Sequence, residues 1–350
     1  MPHRTIEPIP RQYRVVQWST GNVGRPALRA LIEHPNLTLV GVHAHTPDKI
    51  GADAGLLCRM SARTGINATG DVDEILELGA DCVVYTPRVF DVGIVCRLLA
   101  TGTNVVTTQN IFHHPAGMER ALHARVEAAC SSGGASIHST GNSPGFLTET
   151  MPIALSSTQR RLDRVVMDEF VDLTRSETPW SLLGMGFGTS RRTSEPHRLN
   201  HAHRVIGPSL RRAADVLGLP LDAVDVRGEP ATAMRDVQIG TGVFHKGTVV
   251  AERITVSGTR GGRTLLQFRS TRYCSTDIGS DWPLRPTGWR ISVEGDAPLE
   301  LDLRPMETAI RANTAASTYA ANRAVNTIPY LCAAPPGIRT ALDMPPIRFR

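Results

Sequence analysis

The sequence contains only two lysines, Lys49 and Lys246, so nearly all its positive charge is arginine. The formal net charge is +5, yet the arginines are scattered, with short pairs at Arg160-Arg161, Arg191-Arg192 and Arg211-Arg212. A nucleic-acid footprint is a clustered basic stripe on a recognisable motif, and none is present. The six cysteines form no Cys-x-x-Cys pair. They read as small buried hydrophobes of a reducing compartment, not as a disulfide framework or a thiolate zinc site. No apolar run approaches the roughly 18 residues of a membrane span. Met1 to Pro10 has no apolar core of the signal-peptide kind, so the expected compartment is the cytoplasm. What is present is a globular composition, 41% hydrophobic and 20% charged over 350 residues, enough for two ordinary domains.

The first third alternates apolar runs with helical spacing. Strands are expected at Tyr13 to Trp18, Thr38 to His43, Cys82 to Tyr85, Asn104 to Thr107 and Ala135 to His138. Helices are expected at Gly24 to His34, Val72 to Leu78, Gly93 to Ala100 and, opened by Pro115, Ala116 to Cys130. Strand and helix in turn imply βαβ units, a parallel sheet and helices on both faces. After Pro144 the pattern changes. Phe146 to Leu155 reads as a connecting helix, and Leu162 to Leu173 alternates, with Val165, Met167, Glu169 and Val171 on one side. His197 to Leu217 is helical, Thr232 to Leu303 is strand-like almost throughout, and Thr308 to Tyr330 is an alanine-rich helix. The expected fold is therefore α/β. A Rossmann-type doubly wound domain spans residues 1–145, completed by 331–350. Residues 146–330 form an α+β domain with a large, mostly antiparallel open sheet.

Ser19-Thr20-Gly21-Asn22-Val23-Gly24 lies between the first strand and the first helix, where a dinucleotide-binding turn belongs. Gly21 would admit the pyrophosphate and Gly24 would let the helix pack closely, with Ser19 in place of the usual first glycine. Arg25 could assist from inside the helix, or be a solvated arginine. The bland alternative for the whole segment is a tight turn with nothing bound. The second strand ends without the carboxylate that would bind a ribose 2′-OH; His45, Thr46 and Lys49 stand there instead. Donors and positive charge suit a 2′-phosphate, favouring NADP(H) over NAD(H), while Asp48 leaves NAD open. Further cofactor contacts are expected at the carboxyl ends of later strands, in Thr86 and Pro87, in Thr107, and in Gly141, Asn142 and Pro144.

Together these segments resemble the dihydrodipicolinate reductase-like superfamily, over roughly residues 13 to 345. The residues that carry the likeness are Trp18 to Arg25, Asp48 to Gly55, Gly141 to Phe146 and Asn326-Thr327-Ile328-Pro329, the Asp53-Ala54-Gly55 and Asn326 to Pro329 stretches being the more telling. Within that superfamily they resemble the 2,4-diaminopentanoate dehydrogenase branch, which includes native amine dehydrogenases. The resemblance implies a homodimer and NAD(P)H-dependent reductive amination of a small carbonyl compound with ammonia, or the reverse oxidative deamination. Two departures stand out. Asp172 to Pro179 lacks the paired histidines and lysine of true dihydrodipicolinate reductases, which argues against lysine biosynthesis. The branch's glutamate after the fourth strand is replaced by Asn110, an amide that accepts a hydrogen bond but takes up no proton. An NADPH-dependent carbonyl or imine reductase without ammonia use, and a non-catalytic dinucleotide-binding sensor, therefore stay open.

The substrate pocket is expected to draw on Gln109, Phe146, Thr174, Trp180, His197 and His201. Glu177 and His201 are the reserve proton carriers of the second domain. His197 and His201 stand at i,i+4, one helix face, but lack the glutamate of His-Glu-x-x-His, so no metal site is expected.

Overall fold

The computed structural model describes residues 12–176, 179–190, 194–240, 242–307 and 315–349. Glu177, the pair Arg191-Arg192 and the start of the expected helix at Thr308 lie outside them. The chain divides into two compact units, residues 1–142 with 316–350, and residues 143–315.

The first unit holds β1 (Tyr13–Trp18), β2 (Leu37–His43), β3 (Ala68–Thr69), β4 (Cys82–Tyr85), β5 (Asn104–Thr107) and β6 (Ser136–Ser139). With Gly337–Arg339 they form a parallel sheet in the order 339-side strand, β6, β5, β4, β1, β2, β3. The order reverses between β1 and β4, which places a ligand crevice at their carboxyl ends. Helix α1 (Gly24–Glu33) presents Ala27, Leu28 and Leu31 to Val15, Leu39 and Val42 of the sheet. On the other face, Val95, Leu98 and Leu99 of Val92–Ala100 pack with Val126 and Cys130 of Arg120–Gly133.

Three expectations are corrected. Pro115 opens only a short 3-10 turn, Pro115–Gly117. The long helix starts at Arg120, because the Glu119 carboxylate caps it by accepting from the amides of Ala121 and Leu122, each at 2.8 Å. The expected connecting helix at Phe146 is interrupted: Ser143, Pro144 and Gly145 are non-helical, and regular α-helix runs only over Met151–Ser156. The helix Ala315–Cys332, read from sequence as part of the second domain, belongs to the first unit. Its Ala321, Ala324, Val325, Ile328 and Leu331 are buried among the β1, β2 and α1 side chains.

The second unit is built on β7 (Leu162–Asp172), β8 (Ala223–Thr232), β11 (Val249–Arg260), β12 (Arg263–Tyr273), β13 (Gly288–Gly295) and β14 (Leu299–Leu303), with a small hairpin, β9 (Val237–Ile239) and β10 (Gly242–Phe244), beside it. The sheet runs β14-β13-β7-β12-β11-β8 and is antiparallel except between β7 and β12. One helix, Pro196–Val216, buries Ile206, Leu210, Ala213 and Ala214 against Val165, Met167, Val256, Leu266, Phe268 and Ile291. Period-2 alternation puts those strand residues on one face, and the apolar stripe of the helix covers them.

Candidate active site

The glycine turn has the geometry of a phosphate cradle. Ser19 adopts a left-handed backbone, φ 73°, the conformation for which glycine is usually selected. Buried Gln17 holds the turn from beneath: its Nε2 donates to the Ser19 carbonyl at 2.8 Å and to Thr86 Oγ1 at 2.9 Å. Thr86 Oγ1 in turn donates to the Trp18 carbonyl at 3.0 Å. Gly24 packs so tightly that a Cβ there would lie 2.1 Å from the Ser19 carbonyl oxygen, whereas a Cβ on Gly21 would meet nothing within 4 Å. Asn22 is exposed and Val23 is half-buried where α1 begins. Among the described residues the buried Thr20 hydroxyl and Arg25 Nε have no hydrogen-bond partner, nor has Asn142 Nδ2 after β6. Unused donors around a helix N-terminus are what a dinucleotide's phosphates and amide require, so these residues fit the cofactor.

The end of β2 departs from a plain loop. His43 stacks on Trp18, ring centroids 3.8 Å apart, and exposed His45 meets His43 edge-on at 4.7 Å. Burial first, then neighbouring His45, lowers the His43 pKa to about 4. The folded state thus holds a neutral imidazole. Its contribution is full above about pH 6.5 and is lost as pH falls through about 4, because the unfolded chain binds the proton first. His43→Phe, keeping the stack, should lose less stability between pH 7 and pH 4.5 than the wild type. Urea midpoints of both proteins at the two pH values test this.

Thr46 is exposed at the start of the turn Pro47–Lys49, and Lys49 Nζ donates to the Thr20 carbonyl at 3.2 Å. The ammonium is thereby tethered to the glycine turn and keeps two further donors. Asp53 serves the fold: its carboxylate accepts from the amides of Gly55, Thr64 and Gly65 and caps a short helix.

The other strand ends are largely self-satisfied. Thr107 Oγ1 donates to the Tyr85 carbonyl at 2.8 Å and accepts from the Gln109 amide. Gln109 Nε2 donates to the buried Pro87 carbonyl, so Gln109 links two strand ends. Asn110 opens a 3-10 turn, Asn110–Phe112. Gly141 and Pro144 are buried.

In the second unit, a cavity of about 440 Å³ lies between the helix Pro196–Val216 and the sheet. Its apolar walls include Val205, Ile206, Ile254, Val256 and Phe268; its polar groups are Ser143, Glu169, His197, Arg198, His201, Glu252, Ser270 and Arg272. His197 and His201 share a helix face and both line this cavity. Burial, then the nearby Arg204, Arg272 and His197, lowers the His201 pKa. Arg198 pairs with Glu252, which also accepts from Ser194 Oγ at 2.7 Å. A buried relay holds the backbone two residues on from Ser143: the Gly145 amide donates to Thr148 Oγ1, that hydroxyl to Ser209 Oγ, and Ser209 to the Glu149 carboxylate at 2.6 Å.

Three expected pocket residues lie elsewhere. Trp180 is 80% exposed, because its short helix, Pro179–Gly184, buries Leu182 instead. Thr174 is exposed and bonds Asp172 in a turn. Phe146 packs into the core beneath the helix. The sequence reading missed Glu169, Glu252, Arg198 and Arg272. The available signal was a glutamate within the row Val165, Met167, Glu169, an acid on the apolar face of a strand. Among the described residues, no group of three His, Cys, Asp or Glu is gathered to hold a metal, and no helix is long and apolar enough to cross a membrane.

The parallel sheet in this strand order defines a Rossmann-type dinucleotide-binding architecture. The chain superposes on the amine dehydrogenase from Mycobacterium smegmatis with a TM-score of 0.72 at 21% identity, covering 97% of each chain. A probable dehydrogenase from Thermotoga maritima matches at 0.57, 12% identity, covering 94% and 92%. Residues 148–349 match the 2,4-diaminopentanoate dehydrogenase C-terminal domain. An amine dehydrogenase from Streptomyces virginiae is 30% identical, covering 94% of this chain and 95% of the relative. The chain belongs to the 2,4-diaminopentanoate dehydrogenase family and is an NAD(P)-dependent oxidoreductase of the amine dehydrogenase type.

Proposed function

We propose that this enzyme interconverts a small, largely apolar amine with its carbonyl compound and ammonia, using NADP(H) in preference to NAD(H). The observation that carries the substrate class is the 440 Å³ cavity with aliphatic walls and an ionisable polar end. Its size suits a compact molecule, and its polar groups suit one bearing a nitrogen. When bound, the nicotinamide would supply the hydride chemistry, held by the Ser19–Gly24 turn, Thr20, Arg25 and Asn142. The protein's own task is to bind, orient and exclude water. Asn110 offers an oriented hydrogen bond and no proton.

The test is NADPH oxidation with a panel of small ketones and aldehydes, with and without ammonium. Ammonium-dependent oxidation is expected. Oxidation indifferent to ammonium would instead assign a carbonyl or imine reductase.

Support for NADP(H) comes from Lys49, tethered at the turn, and from the missing acid at the end of β2. Lys49→Ala should weaken NADPH by about 1–2 kcal/mol more than NADH, the value of a charged hydrogen bond. Equal losses in fluorescence titrations with the two cofactors would remove Lys49 from the 2′-phosphate site.

A homodimer through the open sheet face fits the mixed charges there. Asp225, Arg227, Glu229, Arg253 and Arg269 line one shallow concavity, and such a face is self-complementary across a two-fold axis. Light scattering should give twice the 37.9 kDa chain mass.

A further inference from the structure

The cavity beneath the helix Pro196–Val216 contains two carboxylates in different electrostatic circumstances. Glu252 is paired with Arg198. Among the described residues Glu169 is held by neutral donors: Trp289 Nε1 donates to Oε1 at 3.0 Å and Ser270 Oγ to Oε2 at 2.9 Å. Those donors come from the strands on either side, at the positions directly opposite Glu169 in both registers. The carboxylate is therefore fixed in place and aimed at the cavity by the sheet itself. Each oxygen has one acceptor position used and one left. No ion pair involves Glu169 among the described residues. A fixed carboxylate in a partly desolvated, apolar-walled cavity is a site for a cation that brings its own N–H donors. The walls beside it, Val205, Ile206 and Phe268, suit an alkyl group on that cation.

We infer that Glu169 receives the ammonium group of the substrate amine and takes up one of its protons. This rests on the amine dehydrogenase reading and names the residue that handles the nitrogen. In the deaminating direction R–NH3+ and Glu–COO− become R–NH2 and Glu–COOH. One N–H bond breaks, one O–H bond forms, and the electron pair stays on nitrogen. That lone pair would then be available for C=N bond formation, for which a bound nicotinamide would supply the hydride acceptor. In the aminating direction the same carboxylate takes a proton from ammonium and releases nucleophilic ammonia. Charged and titratable groups facing this cavity are His197, Arg198 and His201 from the helix, Glu252 from β11 and Arg272 from β12. Arg272, opposite Val171 in the β7–β12 register, lies on the same sheet face.

The experiment uses the full chain and n-butylammonium as the probe, followed by calorimetry at pH 7, together with amine oxidation by NADP+ as a function of pH. Glu169→Gln should weaken n-butylammonium binding by roughly 30-fold, the equivalent of about 2 kcal/mol for a charged hydrogen bond. It should lower kcat by on the order of 100-fold and abolish the acid limb of the pH profile. NADPH binding, read by fluorescence, should stay within about twofold, since the variant leaves the nucleotide turn intact. Trp289→Phe removes one donor to the carboxylate and should move the acid limb to higher pH with a smaller loss of kcat. A merely structural role would not move that limb. If Glu169→Gln fails to fold, Trp289→Phe decides by the same shift.

Retention of both probe affinity and the acid limb in Glu169→Gln overturns the inference. Disappearance of the limb in His201→Asn alone would transfer the proton to His201 and also overturn it. Glu169-dependent binding of n-butylammonium without amine turnover would uphold the binding site and sink the activity. Ammonium-dependent turnover unaffected by Glu169→Gln would do the reverse.

Discussion

Gly24→Ala should weaken dinucleotide binding strongly and lower the melting temperature of the nucleotide-binding unit. The new Cβ would lie 2.1 Å from the Ser19 carbonyl oxygen, 2.8 Å from its carbon and 2.9 Å from Thr86 Oγ1. Two of those obstacles are backbone atoms, and Gln17 and Thr86 pin the same turn from below. The strand-to-helix turn must open, at about 1–3 kcal/mol for an overpacked core position, partly offset by about 1 kcal/mol of better helix propensity. The larger loss is to the cradle, whose amides and Thr20 hydroxyl no longer converge. A cofactor affinity loss of about 2–3 kcal/mol, roughly 30- to 150-fold, is expected. Gly21→Ala is the informative contrast. Its Cβ meets nothing in the protein, so stability should be unchanged while affinity falls if the pyrophosphate lies against Gly21. Fluorescence titration with NADPH and thermal melts of both variants test the pair. An intact melt and intact affinity in Gly24→Ala would refute the close-packing argument.

Breaking the buried ion pair should destabilise the second unit more than any surface change. Glu252 has a side chain 1% exposed and Arg198 one 15% exposed. Glu252→Leu leaves the guanidinium without its countercharge and Ser194 without its acceptor. The expected cost is about 3 kcal/mol, the low end for a buried pair because Arg198 keeps some solvent. That corresponds to roughly 6–12 °C in the midpoint of a unit this size. Adding Arg198→Met removes the orphaned charge and should recover most of the loss, since the pair's attraction is spent on its own desolvation. A double-mutant cycle in urea measures the coupling. Equal destabilisation by the single and double variants would show that packing, not charge, dominates the site.

The nucleotide-binding half was legible because its signals are local. Strand, tight turn and helix follow within Tyr13 to Glu33, and period-2 and period-3.6 patterns name the elements without reference to the rest of the chain. The absent acid after β2 and the i,i+4 pair His197 and His201 are likewise local facts. The element bounds that failed did so where a side chain or a special backbone intervened. Glu119 caps its helix four residues beyond Pro115, and Gly145, at φ 115°, breaks the helix expected from Phe146.

By itself the sequence determined the parallel βαβ half, the strand-to-helix turn with Ser19 in the place of a glycine, and the family resemblance. Those depend on neighbours in the chain. Only the tertiary structure decided that Glu169, from β7, stands between Trp289 and Ser270, which lie 120 and 101 residues further along the sequence. It alone paired Arg198 with Glu252 on a strand 54 residues away, turned Trp180 outward, and placed the helix Ala315–Cys332 with the first unit. The reason is physical. A side chain's periodicity states which face it occupies, but its partners are set by strand register and helix packing, and those are settled only when distant segments bury their apolar faces together.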